Sequence, residues 1–136
     1  MFLAVVVFSA LAQDASGLKL SGSADLIGSI RPTGSGFNVR EAEITLSAPV
    51  DASFAAQISA AAHPELGETF FELHEAFLTA TGLIPGVRGR LGQFFLPIGR
   101  LNQFHRHEWP FSTTPLVQQT FLGSEGVIDA GLEVAY

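Results

Sequence analysis

Alternation of apolar and polar residues is the strongest pattern in this chain. Between residues 18 and 30, one parity is apolar or glycine and the other is polar except for Ile27. Successive side chains of a strand point to opposite faces, so this segment predicts a strand with one apolar and one polar face. Comparable alternation, less regular in the fourth and fifth segments, predicts further strands at 37–48, 52–62, 70–80, 87–96 and 126–136.

Three stretches depart from this pattern. Glu72 and His74 fall on the apolar parity of their strand, so we expect them near the rim of the sheet or after a register shift. A bulge near Gly92 and Gln93 is expected to change the parity of the next strand. Residues 97–125 have no clean period, apart from a candidate helical turn at 116–121, and long irregular stretches of this kind tend to be functional.

The segments together predict an all-β fold, an antiparallel up-and-down meander of about six strands that belongs to an incomplete transmembrane β-barrel. The predicted strands reach the length of roughly 9–11 residues that crosses a bilayer. Short connections are expected after the second and fourth strands, and longer polar loops after the first, third and fifth. Because a closed barrel of this kind has at least about eight strands, the chain is expected to continue beyond Tyr136.

Composition narrows the class of protein. The chain is 47% hydrophobic and only 15% charged, against about 25% charged in typical soluble domains. The net charge of −6 argues against nucleic-acid binding, and the lack of cysteine excludes disulfides. An apolar run ending in Ala10-Leu11-Ala12 predicts a signal peptide over 1–12, with the barrel segment over 13–136. The alternative for this run is a buried strand or a short helix.

Two motifs carry a family resemblance that covers roughly residues 37–136. Residues 92–100 (GQFFLPIGR), with EAEIT at 41–45 and EAFLT at 75–79, resemble the phosphate-selective-porin type of bacterial outer-membrane barrel. Residues 102–110 (NQFHRHEWP) are similar to a porin-like group labelled as zinc-regulated, TonB-dependent outer-membrane receptors. The resemblance implies a β-barrel in the outer membrane of a Gram-negative bacterium.

Charged residues of the polar faces and of the long loop are the candidate pore-lining or constriction residues. They are Arg88, Arg90, Arg100, Arg106, Glu41, Glu43 and Glu75. The arginines would attract anions and the glutamates cations, but we favour a third interpretation, in which opposite charges pair across neighbouring strands. The long loop is the third external one, and by analogy with porins it is expected to fold inward and narrow the pore.

A histidine pair in the same loop is a candidate metal site. His105 and His107 share a face if the segment is extended, and could bind one divalent metal such as zinc with Glu108, His63 or His74 as a third ligand. The alternative is that both histidines form hydrogen bonds or stack on Trp109. No other cofactor is expected, and no constellation of residues indicates an enzyme.

The sequence thus predicts a porin-like channel for passive uptake of small solutes or ions through the outer membrane. One alternative is an energy-coupled receptor barrel for a metal or metal chelate. A second alternative is a soluble, exported β-sandwich binding module. The expected partners are the lipid bilayer and the transported solutes or ions, and association into a homo-oligomer is left open.

Overall fold

A computed structural model describes residues 2–14, 17–65 and 67–136. Its strands form one up-and-down antiparallel sheet in sequence order, which confirms the predicted all-β meander, with seven strands where about six were expected. The sheet is not closed into a barrel, and β1 and β7 are its edges. The strands are β1 (Phe2–Gln13), β2 (Lys19–Arg31), β3 (Gly34–Pro49), β4 (Phe54–Glu65), β5 (Glu68–Thr81), β6 (Arg88–Phe95) and β7 (Ile128–Ala135).

The additional strand is the segment predicted as a signal peptide. β1 pairs with β2 along its whole length, from Phe2 opposite Ile30 to Gln13 opposite Lys19. The structure therefore has a strand here, the alternative that the sequence left open. Cleavage after Ala12 stays a prediction, because strand pairing does not test it.

The expected alternation of short and long loops is wrong for the four hairpins between β2 and β6. Residues 32–33 join β2 to β3, and β4 ends at Glu65 three positions before β5 begins at Glu68, where longer polar loops were expected. The connections at 50–53 and 82–87 are the longer ones. Residues that were expected in the loop continue the ladder instead, with His63 opposite Phe70 and Pro64 opposite Thr69. Among the connections that the structure describes in full, only the segment between β6 and β7 is long.

Two register shifts place extra polar residues on one face. Ser59 pairs with Glu75 and Ala60 with Leu73, so His74 is the additional residue of a bulge in β5. This confirms the register shift expected around His74. In β3, Asp25 pairs with Glu41 and Leu26 with Val39, which makes Arg40 a second such residue. The bulge predicted near Gly92 and Gln93 is wrong, because the ladder to β7 runs through both residues without a register shift, and the ladder to β5 reaches Gln93 without one.

Gly92 has a different role. It adopts a φ of +134°, and a Cβ there would overlap the carbonyl oxygen of Ala76 on β5. Glycine therefore lets β5 and β6 approach closely at this point, without an added residue.

The two faces of the sheet differ in polarity. One face presents large apolar side chains that are mostly exposed, such as Ile44 (59%), Leu91 (60%) and Leu132 (70%). The other face carries carboxylates that are almost fully buried, including Asp25 and Glu41. The segment between β6 and β7 covers part of this polar face, as the hydrogen bonds described below show.

That segment contains the only regular helices of the described residues. They are a 3-10 turn at Arg106–Glu108 and helix α1 at Leu116–Leu122, which confirms the helical turn predicted at 116–121. Neither is long or apolar enough to cross a membrane, and no other helix among the described residues is.

Candidate functional site: a histidine and carboxylate cluster under the long loop

The long loop, residues 96–127, is held in shape by its own buried polar side chains. Asn102 is fully buried and its amide nitrogen donates to the carbonyl oxygens of Leu96 (2.7 Å) and Val127 (3.0 Å). Its amide oxygen accepts from the Val127 N–H at 2.7 Å. The Trp109 indole N–H donates to the carbonyl oxygens of Leu101 and Phe104. These bonds close the base of the loop and fix the turn that carries the histidines.

Polar contacts join the loop to the polar face of the sheet. The Arg40 guanidinium pairs with buried Asp25 and also donates to the carbonyl oxygen of Ser112 at 2.7 Å. His107 Nδ1 lies 3.2 Å from a carboxylate oxygen of Glu41. The bulge that adds Arg40 next to Glu41 therefore supplies two neighbouring anchors for the loop.

All four histidines of the sequence come together at this contact. The ring centroids of His63 and His74 are 5.3 Å apart, those of His74 and His105 are 5.6 Å apart, and those of His105 and His107 are 5.7 Å apart. His63 and His74 belong to the β4–β5 hairpin, whereas His105 and His107 belong to the loop. The bulge in β5 allows this arrangement, because it puts His74 on the same face as Glu75.

The structure does not bring His105 and His107 around a common metal position. His105 contacts Glu43 and Glu75, whereas His107 contacts Glu41. Among the described residues, no group of mutually close ligand atoms contains both histidines. Glu108, one of the proposed third ligands, instead accepts a hydrogen bond from the His105 backbone N–H and caps the 3-10 turn. These contacts give no support to the pairing of these two histidines on one metal, which stays a prediction.

His105 lies between two carboxylates. Its Nδ1 is 2.5 Å from a Glu43 oxygen and its Nε2 is 3.2 Å from a Glu75 oxygen. Burial lowers the pKa of His105, but the two carboxylates outweigh that effect and raise the pKa to about 10. His105 is therefore a cation at neutral pH, and it offsets negative charge where the loop meets the sheet.

Among the described residues, three groups of side chains have ligand atoms close enough to hold a metal ion. They are His63 with Glu72, His74 and Glu125; Glu43 with His74 and His105; and Glu41 with Glu43 and His107. The sequence had offered His63 and His74 only as alternative third ligands. The structure places both in one group.

The four arginines predicted near the pore do not form one basic track. Arg90 pairs with Glu133 across β6 and β7 at 2.6 Å, and its guanidinium also lies 4.0 Å from the ring centroid of Phe94. This confirms, for this pair, the expected pairing of opposite charges across strands. Arg88 is more exposed and lies 3.8 Å from the same Glu133.

The other two arginines belong to the loop. Arg106 pairs with Glu125 at 3.4 Å, inside the loop itself. Arg100 is exposed and lines a separate cavity of about 500 Å³ together with Trp109 and Phe111. The arginine charges are thus distributed over three places, whereas Glu41, Glu43 and Glu75 all lie in the histidine cluster.

Sequence reasoning missed the polar residues that organise the loop. Asn102 and Gln118 are both buried, and the Gln118 amide lies 3.4 Å from the Asn102 oxygen. Nothing in the alternation marks them, because they lie in the aperiodic segment. The Asp25–Arg40 pair was also missed, although Arg40 next to Glu41 puts two charged residues in succession on one strand.

Comparison with known proteins gives one informative similarity. A stretch of 99 residues, 73% of this chain, is 40% identical to an uncharacterized protein of Aquifex aeolicus (strain VF5). The chain spans 20% of the length of that relative. No protein-family model matches the chain, and no solved structure matches it. Evidence for a function therefore comes from the geometry alone.

Proposed function

We propose that this chain forms part of the wall of a porin-like outer-membrane channel for small solutes or ions, and that the loop 96–127 narrows the channel. The observation that carries the proposal is the division of the sheet into an exposed apolar face and a polar face with buried charges. In a barrel of this kind the apolar face contacts lipid, and the polar face lines a water-filled lumen.

The apolar face supports a lipid-facing role because it is continuous across strands. Leu91 of β6 lies opposite Leu78 of β5 on one side and Leu132 of β7 on the other. On β3 and β4, Leu46 lies opposite Ile58, and both are exposed. Soluble monomers rarely leave such large contiguous apolar patches in water. Four of the strands have between 12 and 14 residues and β3 has 16, enough to cross a bilayer at a tilt.

The polar face supports a lumen role. Asp25, Glu41 and Glu43 lie mid-strand, where a lipid-facing position would be costly for a charge. The loop lies against these carboxylates through Arg40, His105 and His107. An inward-folded loop with charged contacts to the wall is the arrangement that reduces the open cross-section of a channel.

The size of the relative is consistent with a larger barrel. Since the matched segment is 20% of the Aquifex aeolicus protein, a chain of that length has room for the strands that would pair with the edges β1 and β7. The soluble β-sandwich alternative receives no comparable support, because a sandwich needs two packed sheets and the described residues form one.

The test uses the complete gene product, purified in detergent and reconstituted in planar bilayers. We expect discrete channel currents, and we expect a variant in which residues 104–114 are replaced by a short glycine–serine linker to conduct more per channel. A matched control replaces Leu83 and Ile84, exposed residues of the β5–β6 connection, by serine and should leave the conductance unchanged. Absence of the protein from the outer-membrane fraction would overturn the channel proposal, and equal conductance after loop removal would overturn the role of the loop.

A further inference from the structure

The geometry points to a binding site for a divalent transition-metal cation such as Zn²⁺, formed by His63, His74 and Glu72. This site does not depend on the proposed channel, because all three ligands belong to the β4–β5 hairpin. Two imidazole nitrogens and one carboxylate oxygen are a ligand set that suits zinc and its neighbours among the divalent metals.

The separations of the ligand atoms fit one metal ion. His63 Nε2 and His74 Nε2 are 3.2 Å apart, and a Glu72 oxygen lies 3.8 Å from the first and 3.9 Å from the second. Three atoms with these separations lie on a circle with a radius of about 2.1 Å, the length of a zinc bond to nitrogen or to a carboxylate oxygen. An ion at the centre would reach all three ligands without a movement of the backbone.

The orientation of His74 also suits a metal ligand. Its side chain is almost fully buried, and its Nδ1 lies 3.1 Å from a Glu43 oxygen. With its Nδ1–H donated to this carboxylate, His74 directs the lone pair of Nε2 towards His63 and Glu72. Histidine ligands of metals usually have such a carboxylate partner on the other ring nitrogen. Since His74 is the added residue of the β5 bulge, the bulge itself aims it at this position.

The end of the loop borders the site. A cavity of about 320 Å³ adjoins the site, and His63, Phe70, Glu72, Ser124 and Glu125 line it. A Glu125 oxygen lies 3.8 Å from His63 Nδ1, and its carboxylate belongs to the same close group as Glu72 and both histidines. A bound cation would therefore lie where the end of the loop meets the β4–β5 hairpin.

The other two candidate groups are less suited to a metal. His105 already has a carboxylate at each of its ring nitrogens, and Glu43 is shared between His105 and His74. His107 is paired with Glu41. In contrast, the two Nε2 atoms of His63 and His74 face each other, and Glu72 is more than half exposed and free to close on an ion.

The test is zinc titration of the complete, chelator-treated protein by calorimetry, with Co²⁺ absorption as a probe of nitrogen and oxygen coordination. His63→Ala and Glu72→Ala should each weaken zinc binding by about a hundredfold or more, and Glu43→Gln by about 10- to 100-fold. His107→Ala is the matched control, since it removes a histidine of the same cluster outside this site, and it should bind zinc as the wild type does. Circular dichroism of every variant checks that the sheet is retained.

Three results would overturn the site: no zinc binding by the wild type at micromolar concentration, unchanged affinity in both His63→Ala and Glu72→Ala, or loss of binding in His107→Ala alone. The first two would indicate that His63 and His74 share only a hydrogen bond. Conductance measured without metal separates this proposal from the previous one. A protein that conducts but does not bind zinc would support the channel and refute the metal site. A protein that binds zinc but does not conduct would support the metal site and refute the channel.

Discussion

Asn102 gives the sharpest prediction about the long loop, because one side chain closes its base. Leu96 follows β6 and Val127 precedes β7, and the Asn102 amide bonds to the backbone of both. The Leu96 N–H also donates to the Val127 carbonyl at 3.0 Å. Replacing Asn102 by alanine removes three hydrogen bonds to the base of the loop, of 2.7, 3.0 and 2.7 Å, and the longer bond of 3.4 Å that Gln118 donates. It leaves the Val127 N–H without its acceptor.

The expected cost follows from these bonds. Each of the three bonds to the base of the loop contributes about 1 kcal/mol net, so the loss of all three in Asn102→Ala should destabilise the closed loop by about 3 kcal/mol. A difference of about 1.4 kcal/mol is a factor of ten, so the open population should rise by roughly a hundredfold. The strands have their own ladder and should remain folded, since loops open locally at lower free energy than the sheet.

Trypsin measures this opening directly, because the loop contains only two basic cleavage sites, Arg100 and Arg106. Arg106 is part-buried and paired with Glu125, so cleavage after it requires the loop to open. In the complete protein in detergent, Asn102→Ala should raise that cleavage rate by about a hundredfold when opening is fast compared with cleavage. Gln103→Ala is the control: this exposed neighbour makes one hydrogen bond of 3.4 Å and should change little. A rate within threefold of the wild type in Asn102→Ala would refute the argument.

Two further predictions concern charges beneath the loop. Arg40→Met leaves buried Asp25 without its cation and should lower the free energy of unfolding in urea by about 3–5 kcal/mol. The double variant with Asp25→Asn should recover much of that loss. A loss below about 1 kcal/mol in the single variant would contradict the pairing. His105 has a folded pKa raised from 6.5 to about 10, so its stabilisation is complete below pH 6.5 and is lost as pH rises through 10. The urea concentration at the unfolding midpoint should therefore fall as the pH rises from 6.5 to 10, and it should fall less in His105→Gln. If the midpoint depended on pH in the same way in His105→Gln and in the wild type, His105 would not be the titrating group.

Alternation allowed the strands to be predicted because a period of two directly reports which face each side chain occupies. Strand ends were less predictable. Residues 34–36 and 63–65 are compatible with a loop by composition, yet they extend β3 and β4. Cross-strand hydrogen bonds satisfy the backbone there whether or not the side chains are polar, so composition does not mark where a two-residue turn begins.

The bulges show which features of the sheet can be predicted from the alternation of apolar and polar residues and which cannot. His74 falls on the apolar parity of its strand, which predicted either a position near the rim or a register shift, and the structure has the shift. Arg40 next to Glu41 presented a similar conflict, which was missed. A bulge was predicted near Gly92 and Gln93, but glycine in a strand is also favoured where two strands approach closely, and sequence alone does not separate the two.

The histidine cluster required the tertiary structure. His105 and His107 were noticed because they are neighbours in sequence, yet the loop turns them towards different glutamates. His63 and His74 are separated by a hairpin, and their side chains meet only because the bulge shifts β5 by one residue relative to β4. Contacts set by a bulge and by a loop closed through Asn102 are non-local, and no local period encodes them.

The two bulges have a common electrostatic consequence for the proposed lumen. Each adds a basic or titratable residue beside a glutamate: Arg40 beside Glu41, and His74 beside Glu75. Arg40 is already engaged with Asp25, and His105 alone lies between Glu43 and Glu75. Among the arginines that were candidates for attracting anions, Arg90 is paired with Glu133 and Arg106 with Glu125, outside the histidine cluster. Carboxylates therefore outnumber the fixed cations in the cluster, and this surplus favours a cation at the loop, whether in transit or held by the imidazoles.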